Sequence, residues 1–501
     1  MSFYVTTPIY YVNAQPHLGH AYTTIAVDVL ARHMRQRGED VFFLTGTDEH
    51  GEPVADAAHA QGLEPKELAD LNAERFKALM PRLGASNDFF IRTSDEAHKA
   101  KVQEVLQRVY DNGYVHLGLY EGWYCPRCAD FKVENEIAEG NRCAIHEIPL
   151  IRHSEENYFF RLSSFQAPLE QLYRDRPDFV MPRHHFNEAH SFIAQGLQDI
   201  SLSRGRLTWG VQVPWDPSHV FYVWFDALLN YYTALGYARS GEDLTGRFWP
   251  ATYHVIGKDI LKFHTVFWPA ILMAAGLDVP EHVFVHGFLL GADGRKMSKS
   301  LGNVLDPFEV MDELGTDALR FYLMRDVPFG GDGSVGMDAV RSRYETELAN
   351  DYGNLASRTI AMLNRYRDGQ VPAVATDREL ASDFQGLDEA VALLLDRADV
   401  TAALERIWQL VRRLNRYVEE RAPWQLARED AAAAQLDETL ASLAEGVRVV
   451  SVLLAPYMPS TVELLLGALG TPSTSFATAV FAEHGSGARV GRLEQLFPKR
   501  S

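Results

Sequence analysis

The 501-residue sequence predicts an α/β fold, with a parallel sheet built from two halves around an insertion and an all-α helix bundle behind it. Three observations carry this expectation. A strand–helix–strand pattern opens the chain, two further buried strands appear after residue 250, and the last third turns helical and Ala/Leu/Arg-rich.

Phe3-Tyr4-Val5-Thr6-Thr7 is β-rich and leads into a Pro/Asn/Gln loop ending at Pro16. A helix follows from near His17, because Leu18, Tyr22, Ile25, Val29 and Leu30 keep helical spacing and Gly38 suits its C-terminal cap. Val41-Phe42-Phe43-Leu44-Thr45 is a continuous apolar run, as expected of a parallel strand covered on both faces. Helical segments continue to about Gly113. Residues 114–220 then hold all three cysteines, many aromatics and several short strand-like runs. Val220-Phe221-Tyr222-Val223-Trp224-Phe225 and Tyr253-His254-Val255-Ile256-Gly257 restore the α/β pattern, and His282-Val283-Phe284-Val285-His286 is one more buried strand. The expected division is 1–113 and 221–300 as two halves of one domain, 114–220 as the insertion, 301–345 as a following segment and 346–501 as the helical domain. Breaks near Gly369 to Pro372 and at Ala422-Pro423 punctuate the bundle, and the end from Gly467 is weakly patterned.

Against 67 acidic residues stand 48 basic ones, a net charge of −19, which opposes indiscriminate binding to nucleic-acid phosphates. A local basic surface stays open: Arg406, Arg412, Arg413, Arg416 and Arg421 crowd one segment, which is equally read as a solvated helix face. No run approaches the roughly 18 apolar residues of a membrane span, and Met1-Ser2-Phe3-Tyr4-Val5 lacks a cationic leader. A cytoplasmic protein without membrane contact is expected.

Two separated motifs point to phosphate chemistry. His17-Leu18-Gly19-His20 begins the helix after the first strand, where N–H groups and the positive dipole end face the carboxyl edge of the sheet. Histidines at the first and fourth positions share a face and can both donate to phosphate oxygens, while Gly19 leaves room for a flat ring. The bland alternatives are a metal pair or capping residues. Lys296-Met297-Ser298-Lys299-Ser300 follows an Asp293-Gly294 turn, and its two lysines suit a mobile clamp on developing phosphate charge. A solvated turn is the bland alternative. Cys125-Pro126-Arg127-Cys128 and Cys143-Ala144-Ile145-His146 form CxxC…CxxH, which uses every cysteine and fits one closed, structural Zn²⁺ site.

HLGH with an unaltered KMSKS resembles the signature pair of class I aminoacyl-tRNA synthetases. The resemblance extends across the chain and is nearest to the methionine enzymes of the one-zinc-knuckle type. It runs through Tyr4-Val5-Thr6-Thr7-Pro8-Ile9-Tyr10-Tyr11-Val12-Asn13, Gly46-Thr47-Asp48-Glu49-His50-Gly51, Tyr222-Val223-Trp224-Phe225-Asp226-Ala227 and Ile256-Gly257-Lys258-Asp259-Ile260 with Phe263-His264. It implies a split Rossmann-type catalytic domain with a zinc-containing insertion and an anticodon-binding helix bundle. It also implies that His17, His20, Lys296 and Lys299 are catalytic, and that Gly19, Gly257, Asp259, Lys296 and Lys299 bind ATP, with Mg²⁺ accompanying the phosphates. Asp48 would hold a methionine ammonium, and Ile9, Tyr11, Trp224, Ala227, Leu228, Tyr231, Ile260 and His264 would wall its flexible thioether. Without the family, Trp224 and Tyr231 are ordinary core aromatics. Asn354 and Arg358, at i and i+4, with Pro423 and Trp424 would read the anticodon of tRNA(Met), the mode expected for unstacked RNA bases. Many relatives carry a C-terminal dimerisation module, and since this chain ends soon after the bundle a monomer is expected.

A leucine, isoleucine or valine enzyme resembles this chain but carries a much larger insertion than the about 107 residues here, and one methylene in a pocket is worth only about 1–3 kcal/mol. The cysteine enzyme is a further same-fold rival, and the zinc insertion with Trp424 favours methionine. A non-catalytic RNA-binding relative would carry degraded motifs, and both motifs are intact.

Overall fold

A computed structural model of the chain describes residues 2–127, 130–132, 134–205, 207–297, 303–482 and 484–498. Its centre is a parallel sheet whose strands run, side by side, Val180–Met181, His282–His286, Tyr253–Gly257, Ser2–Thr6 and Asp40–Asp48; Tyr10–Tyr11 and Phe89–Arg92 both pair with the last. From Ser2–Thr6 the chain moves to Asp40–Asp48 on one side, and the neighbour on the other side, Tyr253–Gly257, arrives much later. The strand order therefore reverses between Ser2–Thr6 and Tyr253–Gly257, the crevice where open α/β sheets bind ligands.

Strand alternation divides the core. Phe3, Val5, Val41, Phe43, Tyr253, Val255 and Phe284 face one side, where they join an apolar core that continues through Phe321, Trp408, Leu414 and Leu440 of the helical region. Tyr4, Phe42, Leu44, Ile91, Ile256, Val283 and Val285 face the other, under the helices Glu96–Asp111, Gln166–Asp175, Val223–Thr233 and Trp268–Ala274. The first helix, Leu18–Gln36, is buried from Ala21 to Ala31 without a break because sheet and bundle cover opposite sides of it. Gly38, at φ +83°, follows its C-terminus as expected.

One buried ion pair fastens this junction. Arg320 reaches Asp28 of the first helix at 2.7 Å, both side chains being fully buried, and also donates to the carbonyls of Leu83, Pro456 and Tyr457.

The middle region differs from a single insertion. Val115–Cys125, Asp130–Lys132, Ile151–Phe160 and Ile200–Ser201 form a separate antiparallel sheet, but Val180–Met181 within the same stretch pairs with His282–His286 at the edge of the parallel sheet. The apolar run 220–225 is also divided. Its first residues end the strand Asp216–Phe221 of a small antiparallel sheet, and Val223 begins the helix Val223–Thr233, with Tyr222 as its extended N-cap residue. Beyond residue 337 the long elements are helices, chiefly Asn354–Arg367, Val400–Arg421, Ala433–Leu454 and Pro459–Ala468. Among the described residues, no helix is long and apolar enough to cross a membrane.

Candidate active site

His17 is the N-cap of the first helix, and its geometry fixes both histidines. The Gly19 backbone N–H donates to His17 Nδ1 at 3.1 Å, and the His17 N–H donates to His20 Nδ1 at 3.0 Å. This is a capping box made of two imidazoles in place of the usual hydroxyl and carboxylate. A nitrogen that accepts from a backbone N–H carries no proton, so each neutral ring holds its proton on Nε2 and offers it as a donor. Burial lowers both pKa values, His17 partly rescued by Asp259 and His20 pushed further down by His17, so the neutral form is the working one. The rings lie 3.7 Å apart, His17 with an open edge and His20 braced edge-on by Tyr10 and Phe76. A Cβ at Gly19 would sit 3.0 Å from His17 Cε1 and push that ring out of place.

Across the crevice, Gly257 ends its strand and Asp259 follows in a short turn. A Cβ at Gly257 would stand 2.6 Å from Asp259 Oδ1, so a larger residue there would displace that carboxylate. Burial raises the Asp259 carboxyl, opposed first by its own backbone N–H and then by the charges of Lys296 and Lys258, although an edge of this residue is open to solvent. Lys296, paired through its backbone with Leu290, therefore stands within electrostatic reach of Asp259 and equally of His146. Lys299 lies outside the described residues.

The residues Tyr11, Asp48, Trp224, Ala227, Leu228, Tyr231, Ile260 and His264 come from five elements, and Ile9 precedes the strand Tyr10–Tyr11. Asp48 ends the strand Asp40–Asp48 and is almost fully buried, yet its Oδ1 has no hydrogen-bond partner. Burial first, then Asp226 and Glu49, push its carboxyl well above the ordinary range. Trp224 meets Tyr11 edge-on at 6.2 Å, while Ala227, Leu228 and Tyr231 follow on the same helix. His264 Nδ1 donates to the Ile260 carbonyl at 3.1 Å, so its Nε2 accepts from the Tyr231 hydroxyl at 2.8 Å. Burial lowers the His264 pKa to about 4, leaving it neutral. Sequence reasoning missed Phe263, which stacks on Trp224 at 3.8 Å and 13°. Its placement depends on the π-helical turn Phe263–Phe267, a register no spacing rule announces.

Among the described residues, Cys125, Cys143 and His146 form the one metal-competent cluster. Each Sγ lies 3.9 Å from His146 Nδ1, near the separation set by Zn–S bonds of about 2.3 Å and Zn–N bonds of about 2.0 Å. Cys128, the fourth residue of the pattern, lies outside the described residues. This module touches the pocket through Glu136, which accepts from Lys262 at 2.9 Å. In the helical region Asn354 is exposed and Arg358 sits 5.6 Å over the Trp424 ring while pairing with Glu419 at 2.9 Å. Pro423 is buried as the first residue of the short helix Pro423–Leu426.

Comparison with known proteins agrees with this layout. Residues 3–360 match the family described as tRNA synthetases class I (M), and residues 370–499 match the anticodon binding domain of methionyl tRNA ligase. A methionine–tRNA ligase of Caldanaerobacter subterraneus subsp. tengcongensis is 44% identical over 504 residues, covering 99% of this chain and 79% of that protein. The methionine–tRNA ligase of Streptomyces coelicolor is 44% identical, with 99% and 96% covered. The structure of Mycobacterium tuberculosis methionyl-tRNA synthetase in complex with methionyl-adenylate superposes with a TM-score of 0.95 at 41% identity, covering 99% of this chain and all of that one. By these matches over its whole length, the chain belongs to the methionine–tRNA ligases, of the class I aminoacyl-tRNA synthetases.

Proposed function

We propose that the chain activates L-methionine with ATP and transfers the methionyl group to the 3′ end of tRNA(Met). The observation that carries this reading is the meeting, at one edge of the sheet, of two Nε2–H donors and a buried carboxylate oxygen that lacks a partner. A substrate ammonium satisfies Asp48 Oδ1, and the thioether lies among Ile9, Tyr11, Trp224, Phe263 and the Tyr231–His264 pair.

The methionine carboxylate attacks the α-phosphorus of ATP, and the bond to the bridging oxygen breaks to release pyrophosphate. The terminal ribose hydroxyl of the tRNA then attacks the adenylate carbonyl and AMP leaves. No side chain acts as nucleophile. The protein lowers the barrier by alignment and by donors aimed where negative charge gathers: His17 and His20 on one side, Lys296 and Lys299 on the other. Gly19 and Gly257 leave room for the nucleotide, and Asp259 is suited to its ribose. Mg²⁺ travels with the phosphates rather than in a cage of protein ligands. The decisive experiment is ATP–pyrophosphate exchange: L-methionine should drive it, and exchange driven by leucine or cysteine instead would overturn the reading.

Zn²⁺ would be held by Cys125, Cys128, Cys143 and His146, where it ties a small module together without taking part in the reaction. Metal analysis should find close to one equivalent of zinc, and protein that is active and zinc-free would remove the assignment. Asn354, Arg358, Pro423 and Trp424 form the anticodon site, with Trp424 offering a face for a base. Trp424→Ala should spare exchange and weaken tRNA charging by about 10- to 100-fold, as expected from about 1–3 kcal/mol per stacked base. Undiminished charging would rule that site out.

A further inference from the structure

Beneath Asp48 lies a second carboxylate with no assigned role. Asp226, in the first turn of the helix Val223–Thr233, is fully buried. Its Oδ2 accepts from His50 Nδ1 at 2.6 Å and its Oδ1 from His98 Nε2 at 2.9 Å. His98 Nδ1 meets the Thr233 hydroxyl at 2.7 Å. With both rings neutral every one of these contacts is satisfied: each imidazole gives one N–H to the carboxylate, and His98 Nδ1 accepts from Thr233. An amide at position 226 could not accept from both rings with both of its terminal atoms.

The three groups come from three elements. His50 stands just beyond Asp48, at the end of the strand Asp40–Asp48. Asp226 shares its helix with Trp224, Ala227, Leu228 and Tyr231. His98 belongs to the helix Glu96–Asp111, which packs on the same face of the sheet. A buried charge of this kind is not needed for packing, since apolar residues of equal volume fill such a place at least as well. What it fixes is direction and distance. The His50 bond sets the strand end that carries Asp48, and the His98 bond sets the helix that carries the aromatic wall. The Trp209 ring closes over His50 edge-on at 5.1 Å and donates its indole N–H to the Glu49 carbonyl, which holds the same strand end from the outside.

We propose that His50, Asp226 and His98 are positioning residues for amino-acid recognition, holding the ammonium partner Asp48 in register with the helix that walls the substrate side chain. This rests on the reading of Asp48 given above. A register error between the two halves weakens methionine binding without touching the ATP half of the crevice, and that split tests the idea. Methionine-dependent exchange by the unaltered enzyme is the control, because its absence would sink the underlying reading rather than this one. Given that control, His98→Leu, which deletes the donor, should raise KM for methionine about tenfold or more, the loss expected for one hydrogen bond to a charged group, while KM for ATP stays within about twofold. His98→Gln, whose amide can still donate to Asp226, should recover most of that loss. A methionine KM within twofold of the parent in His98→Leu, an equal rise in both KM values, or no recovery in His98→Gln would each overturn the proposal. If His98→Leu does not melt as a folded protein, Asp226→Asn keeps the volume and carries the same KM comparison.

Discussion

Asp48→Asn is expected to raise KM for methionine by about two to three orders of magnitude while KM for ATP changes little. The substitution keeps shape and removes charge, so it isolates the ion pair. Losing one partner of a buried, hydrogen-bonded pair is worth about 3–5 kcal/mol, and each ~1.4 kcal/mol is a factor of ten. Steady-state exchange with each substrate varied in turn measures this, and a methionine KM near the parent value would refute the role of Asp48. The pH dependence carries a second check. Burial, then Asp226 and Glu49, hold the Asp48 carboxyl well above the usual carboxylate range, and the ammonium is bound only by the ionised form. Methionine affinity should therefore fall on acidification in a window above the ordinary aspartate pKa of about 3.9, and Asp48→Asn should abolish that fall.

The largest effect on stability is expected from Arg320→Met. The guanidinium neutralises Asp28 and satisfies three carbonyls where the first helix, the loop at Leu83 and the turn at Pro456-Tyr457 converge. Removing it leaves Asp28 buried with Arg32 and Ser86 alone, for a loss of about 3–5 kcal/mol in denaturant unfolding. A change below about 1 kcal/mol would show the pair to be incidental. Burial works to raise the Asp28 carboxyl, but Arg320, Arg32 and Ser86 outweigh it and hold the group below its ordinary value. For a lowered acid the stabilisation is complete above the unfolded pKa of about 3.9 and disappears as pH falls through the folded one. The parent protein should thus lose a larger acid-sensitive contribution than Arg320→Met, which keeps only Arg32 and Ser86 beside Asp28.

Much of the fold was legible because strands buried on both faces write continuous apolar runs, as at Val41–Thr45 and His282–His286. Val180–Met181 escaped notice for the opposite reason: a two-residue edge strand leaves no periodicity. The run 220–225 misleads because an apolar strand end and an apolar helix start have the same composition, and only the turn at Tyr222 separates them. In the candidate site, motif spacing pointed to His17 and His20, which the structure places face to face, and to Cys125, Cys143 and His146, which it brings together, since each group lies within a local segment. It could not find the grip of His50 and His98 on Asp226, whose members are 128 and 176 positions from Asp226 in the chain and meet only after folding. Nor could it find the tautomers of His17 and His20, which the helix start dictates through two backbone N–H groups.

The apolar core shared by one sheet face and the helix bundle has a geometric consequence. Trp424 packs against this core at one end, and the first helix, which His17 caps, runs through it at the other, so one continuous packed core spans the distance between them. An RNA that seats its loop at Trp424 delivers its far end to the reaction centre only if its own arms match that span. On the anticodon reading proposed above, the length and bend of the RNA are tested together with its bases.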